Sequence, residues 1–259
     1  MKRDILWIVF YILGGVVLIF ILSPILSIIL SSSPKVLWET IREQEVYKAI
    51  WLTLYASLIS TAVAFLFGIP LAYLLARKGF FGKGFIEGII DIPIVIPHIG
   101  AGVALLTTFS QDTLFGKIFS LIGIRFVGEV PGIILAMMFV SIPFLIDSAK
   151  EGFLKVGERL EKVSRTLGAS PFQTFWKISL PLAKRDILSG LVLMWSRGIS
   201  EFGAVVILTY HPKTCPVLIW QRFESFGISS ARPVSALLII ICLLVFTILR
   251  IRIKRWGLR

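Results

Sequence analysis

Histidine and cysteine are almost missing from this 259-residue chain, which holds two of each. Scattered as His98, His211, Cys215 and Cys242, they form no Cys-x-x-Cys pair, no Cys/His cluster and no His-Glu-x-x-His run. Metal and redox chemistry therefore have no ligand set, and a membrane-embedded enzyme has no converging nucleophile, base or metal. Also missing is Gly-x-x-x-x-Gly-Lys-Ser/Thr, the loop whose backbone N–H groups cradle nucleotide phosphates. Acidic side chains are few, 15 against 27 Lys and Arg, for a net charge of +12. In a water-soluble chain that surplus would suggest a nucleic-acid partner. Here the basic residues gather at the ends of apolar runs, which is the pattern that orients membrane proteins, and no nucleic-acid partner is expected.

What the chain has in excess is apolar surface. Hydrophobic residues make up 56% of it, above the usual share of a soluble domain, and the mean hydropathy is +0.89. Runs of about 20 apolar residues recur, the length a helix needs to cross a bilayer. Six spans are expected, at roughly 5–30, 49–76, 86–110, 131–149, 186–209 and 233–250. All should be helical, because lipid offers no other way to satisfy the backbone of an unclosed chain. The first run continues from Ile5 to Leu30 without a small-x-small cleavage site, so it reads as an uncleaved span rather than a signal peptide. With the N-terminus inside, inner segments hold 18 Lys and Arg and outer segments 8. That bias places both termini in the cytoplasm. It also makes 150–185 the longest cytoplasmic segment.

Pro24, Pro70, Pro93, Pro97 and Pro143 fall inside spans, each removing a backbone donor and loosening its helix. Small residues such as Gly100-Ala101-Gly102 and Gly84-x-x-x-Gly88 fit close helix packing or a deformable, pore-lining set of helices.

The 150–185 segment reads as two short helices and a hinge. The first covers Val156 to Leu167, with Leu160, Val163 and Leu167 on one stripe, and Gly168 supplies a left-handed stop. Ser170 is placed as the N-cap of the second, Pro171 as its first residue and Gln173 as the third, completing a Ser-x-x-Gln capping box. Phe172, Phe175 and Trp176 share one face, and Pro181 closes the element. Such a face rests on lipid headgroups or on the protein's own helices, or it anchors a partner.

At these residues the chain resembles ABC importer permeases. Their loop signature is Glu-Ala-Ala, three residues, Gly, nine residues, then Ile-x-Leu-Pro. Gly168, Ile178, Leu180 and Pro181 match at the right spacing. The Glu-Ala-Ala positions hold Lys162, Val163 and Ser164, with Glu161 one residue early. The resemblance covers about 45–255. It implies an all-α, type I permease fold with six transmembrane helices. Residues 1–44 would add a first span and outer loop, and 45–255 would be the permease domain. In this reading the loop, including Glu161, docks on an ATPase, so ATP and Mg are bound by a partner and none by this chain. Two ATPase copies, an extracellular oxyanion-binding protein, a homodimer with its path on the two-fold axis and a plasma-membrane location are implied alongside. A passive channel would need no such loop.

Ionisable residues inside spans are functional suspects. Trp195-Ser196-Arg197-Gly198-Ile199-Ser200-Glu201-Phe202-Gly203 puts Arg197 and Glu201 at i, i+4, able to pair on one helix face. They are read either as a structural ion pair or, with Ser200 and Gly203, as part of a pathway. In span 3, Asp91 lies near the inner end and His98 nearer mid-span, as a packing residue or part of the gate. Together, "DIPIVIPHIGAGVALL" and "WSRGISEFGAVVIL" resemble the molybdate/tungstate branch of these permeases, with sulfate or thiosulfate permeases the alternative. The resemblance implies a tetrahedral oxyanion as cargo.

Overall fold

In a computed structural model, residues 2–256 are described, with side chains over 5–249 and at 251. The terminal charges used for orientation (Lys2, Arg3, Arg250, Arg252, Lys254, Arg255 and Arg259) therefore lie outside the described side chains. Among the described residues every regular element is helical.

The long apolar runs form α1 (Lys2–Leu30), α3 (Gln44–Arg77), α7 (Val130–Val156) and α13 (Ile228–Trp256). Each is long and apolar enough to cross a bilayer. Pro24, Pro70, Pro143 and Pro233 sit inside these helices without ending them.

Two expected spans are broken instead. The stretch 86–110 is a bent pair, α4 (Lys83–Val95) and α5 (His98–Phe109), whose axes turn by 114°. Pro97 causes the break: it disfavours helical geometry at the residue before it, and Ile96 is extended at φ −64°, ψ 137°. His98 consequently opens a helix at the break, near the middle of the 83–109 stretch. The stretch 186–209 divides into α10 (Leu180–Ile199) and α11 (Gly203–Leu208). Lys184, Arg185, Asp186 and Arg197 give α10 four charges within 20 residues, a higher density than in the four long helices. With the bent pair counted as one crossing, five crossings meet the length and composition needed. The outer connections are also partly helical, as α2 (Pro34–Arg42), α6 (Leu114–Leu121) and α12 (Cys215–Phe226). The loop holds α8 (Glu158–Thr166) and α9 (Pro171–Thr174).

The centre of the fold is the packing of α7 against α10 and α3. A Cβ at Gly190 would lie 2.7 Å from the Ser148 Cβ, and one at Gly152 would lie 2.7 Å from the Asp186 Cβ. The two helix backbones approach as closely as small residues allow in membranes. Leu75, Leu145, Ala149, Phe153, Ala183 and Ile187 fill the core at one end of this pair. Ala101, Leu105, Ile133, Met137 and Leu208 fill it at the other, joining α5 and α11 to α7. Gly84 and Gly88, by contrast, touch nothing within 4 Å, so they are not packing glycines within this chain.

Outside this centre, α12 is held to the start of α3 by polar contacts. The buried Cys215 N–H donates to Thr53 Oγ1 at 2.7 Å, Lys213 pairs with Glu45 at 2.7 Å, and Arg222 bonds Glu43. Burial pushes the Cys215 thiol up to about 12, leaving it inert. The apolar stretch of α1 has no buried residue and packs mainly along α13.

Candidate functional site

The loop is shaped by local chemistry. Gly157, at φ +69°, turns the chain out of α7. At the end of α8, Gly168 adopts φ +89°. Its N–H donates to Arg165 O at 3.1 Å, and Ala169 N–H donates to Ser164 O at 3.2 Å. This is the paired 5→2 and 6→1 closure that satisfies a helix C-terminus. Two residues later both halves of the expected capping box are present. Gln173 N–H donates to Ser170 Oγ at 3.2 Å, and Ser170 N–H to Gln173 Oε1 at 2.9 Å. Ser164 and Thr174 hydroxyls meet at 3.2 Å and hold α8 against α9.

Pro181 does not close the element. Helix runs on from Pro171 to Ile199, through a π-turn over Phe175–Ser179. Pro181 has no N–H for an i→i−4 bond and its ring crowds that carbonyl. The wider turn absorbs this, with Leu180 N–H reaching Phe175 O. The expected aromatic face also divides. Phe172 and Trp176 are exposed at 72% and 50%, with ring centres 6.0 Å apart. Phe175 is half-buried, its ring 4.9 Å from Tyr73 and 6.1 Å from Phe153. Leu180 packs on the same core and Ile178 is half-buried. Leu160, Val163 and Leu167 of α8 are uncovered. The loop therefore presents an apolar surface from both of its helices.

Glu161 is buried beneath that surface. Arg77 Nη2 donates to its Oε1 at 2.7 Å and Arg77 Nε to both carboxylate oxygens at 2.9 and 3.0 Å. Ser179 Oγ donates at 2.6 Å and Tyr73 OH at 3.1 Å. Burial alone would push this carboxyl up; the hydrogen bonds from Arg77 and Ser179 outweigh it and hold the group below the usual carboxylate range. Sequence reasoning missed Tyr73, Arg77 and Ser179. An arginine at the end of a span looks like any orienting charge.

A second cluster forms where the two broken spans meet. Arg197 is in the last turn of α10, Ser200 and Glu201 lie in the break, Gly203 starts α11 and His98 starts α5. Arg197 Nη2 is 2.9 Å from Glu201 Oε2, and 3.0 and 2.8 Å from His98 Nδ1 and Nε2. His98 Nδ1 is 3.2 Å from Glu201 Oε2. Arg197 Nη1 donates to Ser200 Oγ at 3.2 Å, and Glu201 Oε1 accepts from Ala204 N–H at 2.8 Å. Glu201 is 1% exposed. The Arg197–Glu201 pair thus spans a helix end rather than one helix face. Gly203 lets the elements meet, since a Cβ there would lie 2.6 Å from the His98 Cβ.

Residues Pro97, His98, Arg197, Ser200, Glu201 and Gly203 help line an open cavity of about 460 Å³. Glu201 and the His98 imidazole both meet Nη2 of the guanidinium, while Nη1 donates to the Ser200 hydroxyl. That donor set suits an anion. Asp91, expected near the inner end of its span, is an exposed side chain of α4. The loop and this cluster are not in contact. The helix from Pro171 to Ile199 joins them, over about 43 Å at 1.5 Å per residue.

Residues 68–256 match the family described as binding-protein-dependent transport system inner membrane component. The chain is 43% identical over 250 residues to the molybdate/tungstate transport system permease protein WtpB of Pyrococcus abyssi, covering 96% of each chain. It is 31% identical to a probable sulfate transport system permease protein of Chlorokybus atmophyticus, over 86% of this chain and 80% of that one. Among solved structures it resembles a chain of a bacterial ABC transporter involved in alginate import, with TM-score 0.74 and 19% identity over 98% of this chain and 96% of that one. A bacterial alginate ABC transporter in complex with an alginate pentasaccharide-bound periplasmic protein gives TM-score 0.73 and 17% identity, over 98% and 94% of the two chains.

Proposed function

The chain belongs to the family of binding-protein-dependent transport system inner membrane components, multi-pass membrane permeases, and from that premise we propose that it carries molybdate or tungstate through an ATP-driven importer. The cargo reading rests on the likeness to the Pyrococcus permease along almost the whole of both chains. Sulfate is the second reading, favoured by the Chlorokybus relative.

The observation that supports an ATP-coupled role is the loop. A closed helix end and a capping box set up two short helices whose apolar side chains, Phe172 and Trp176 foremost, are exposed among the described residues. Aromatic anchors of this kind fill pockets on protein partners. The partner is an ATPase subunit, two copies serving a homodimer of this chain, with ATP and Mg bound on the ATPase. Gly168, Ser170, Pro171, Ile178, Leu180 and Pro181 shape the docking loop within 150–185, in a permease domain of 45–255 that follows an added first span in 1–44. Both termini and the loop lie in the cytoplasm. A loaded binding protein docks outside, as the periplasmic protein does on the alginate importer. ATP drives the cycle by binding more tightly to one conformation than the other.

In this reading His98, Arg197, Ser200, Glu201 and Gly203 lie on the path. Arg197 offers its Nη1 and Nη2 donors to a tetrahedral oxyanion, exchanging the Ser200 and His98 contacts for it, while Glu201 keeps the resting site near neutral and discourages tight retention. The test is ATPase stimulation in the reconstituted complex, comparing molybdate, tungstate and sulfate on the binding protein. Stimulation by molybdate and tungstate with none by sulfate is expected. Stimulation by sulfate alone would replace the cargo reading, and no stimulation by any of the three would refute oxyanion import.

A further inference from the structure

The chain enters the loop from α7 through Gly157 and leaves it from α9 through the π-turn into α10. The loop's side chains meet the bundle through Phe175, which packs on Tyr73 and Phe153, and through Glu161. Its two oxygens receive Arg77 and Tyr73 from the last two turns of α3, 84 and 88 residues away, and Ser179 from the π-turn. One carboxylate thus ties α8, α3 and the root of α10 together. Elsewhere α8 touches α9 through Ser164 and Thr174 and otherwise lies open. Lys162 pairs with Glu158 on its own helix at 2.7 Å, and Leu160, Val163 and Leu167 are uncovered.

Three features make this contact suited to carrying force. The Arg77 fork engages both carboxylate oxygens, which fixes direction as well as distance. Both side chains are buried, at 8% and 11% exposure, so water does not readily replace either partner. The exposed apolar surface is also joined to it by direct packing. The Trp176 ring lies 5.5 Å from Phe175, and Phe175 lies 4.9 Å from Tyr73, whose hydroxyl bonds Glu161.

We infer that Tyr73, Arg77 and Glu161 are positioning residues for transport: they form the joint through which displacement of the loop moves α3, alongside the direct route into α10. This rests on the docking role given to the loop under Proposed function, and adds to it three residues outside the docking surface. The joint predicts that association with the ATPase and transmission to the bundle are separable.

The experiment uses liposomes holding this chain with its ATPase subunit and tungstate-loaded binding protein. Three quantities are read: ATPase co-purification, stimulated ATP hydrolysis, and tungstate uptake per ATP. Glu161→Gln and Arg77→Gln should keep the ATPase bound but lower uptake per ATP by about tenfold or more, the size of an ordinary coupling factor. Tyr73→Phe, which removes one hydrogen bond and keeps the ring packing, should give a smaller loss in the same direction. The reciprocal pair Arg77→Glu with Glu161→Arg should recover part of the loss, so the two changes are not additive. Unchanged uptake per ATP in both single variants and in Tyr73→Phe overturns the joint. So does loss of ATPase co-purification in step with uptake across all variants, which makes the pair a purely structural one. Trp176→Ala in the same assay separates the two ideas. If it leaves association and coupling intact, the docking role itself falls. If it uncouples while Glu161→Gln does not, the joint alone falls.

Discussion

Gly203→Ala adds one methyl group at the point where α11 starts beside α5. The added Cβ would lie 2.6 Å from the His98 Cβ and 3.1 Å from both His98 C and Ile99 N. Two of these are backbone atoms and the third is anchored to it, so no side-chain rotation relieves the clash. Carbon contacts settle at about 3.5–4.0 Å, which requires the two helix starts to separate by about 1 Å. Overpacking of this kind costs about 1–3 kcal/mol, and for a chain of this size each kcal/mol lowers Tm by roughly 2–4 °C. A drop of about 2–12 °C is expected by thermal unfolding of the purified protein in detergent. Uptake should fall further than stability alone accounts for, because His98 moves away from Arg197 and Glu201. The control is the same substitution at Gly88, inside α4, where nothing lies within 4 Å. There a methyl group meets no atom and reduces the freedom of the unfolded chain, so Gly88→Ala should leave Tm unchanged or raise it, by about 0.4–1 kcal/mol in stability. Equal effects at the two positions, or a stable Gly203→Ala protein with full uptake, would refute the close approach of α5 and α11.

Three further outcomes follow from the loop. Gly168→Val places a β-branched residue at φ +89°, where such residues are strained, so it should abolish uptake or assembly with the ATPase; wild-type uptake by this variant would count against the loop reading. Trp176→Ala removes an exposed anchor that is not part of the core, so ATPase co-purification should fall while Tm stays within about 0.5 kcal/mol equivalent of wild type. The Glu161 carboxyl is held low in the fold, so its ionised form adds stability that is fully present above the unfolded value of about 4.3 and is lost as pH falls through the lower folded value. The Tm gap between wild type and Glu161→Gln should therefore be flat from neutral pH down to about 5 and close in more acidic solution; a gap that widens on acidification would contradict the Arg77 contact.

The features readable in the sequence were those with short-range causes. Gly168, Ser170, Pro171 and Gln173 each act on backbone groups within a few residues, and each stands where the chain order implies. Arg197 and Glu201 were readable as a pair for the same reason. His98 joins them from 99 residues away, and only the break at Pro97 brings it there. Phe175 shares a helical face with Phe172 and Trp176 by spacing, yet Tyr73 and Phe153 draw it inward. No local rule anticipates which aromatics a distant span will claim. Pro181 looked like a terminator because a proline inside a helix usually is one, and the π-turn that accommodates it has no signature in composition. Arg77 was invisible for a different reason: charge counting treats every basic residue at a span end alike, whether it faces headgroups or a buried carboxylate.

The breaks at Ile96-Pro97 and at Ser200–Phe202 have a consequence for solvation. The first interrupts a stretch otherwise long and apolar enough to cross the bilayer, and both leave peptide groups outside regular helix, without the partners that hydrocarbon demands. Unpaired backbone is tolerated at such depth only against protein or against water. The two interruptions meet on the same open cavity, so water must reach it. A doubly charged ion arriving there would keep part of its hydration shell, so the protein's irregularities would lower its dielectric barrier alongside the charge of Arg197.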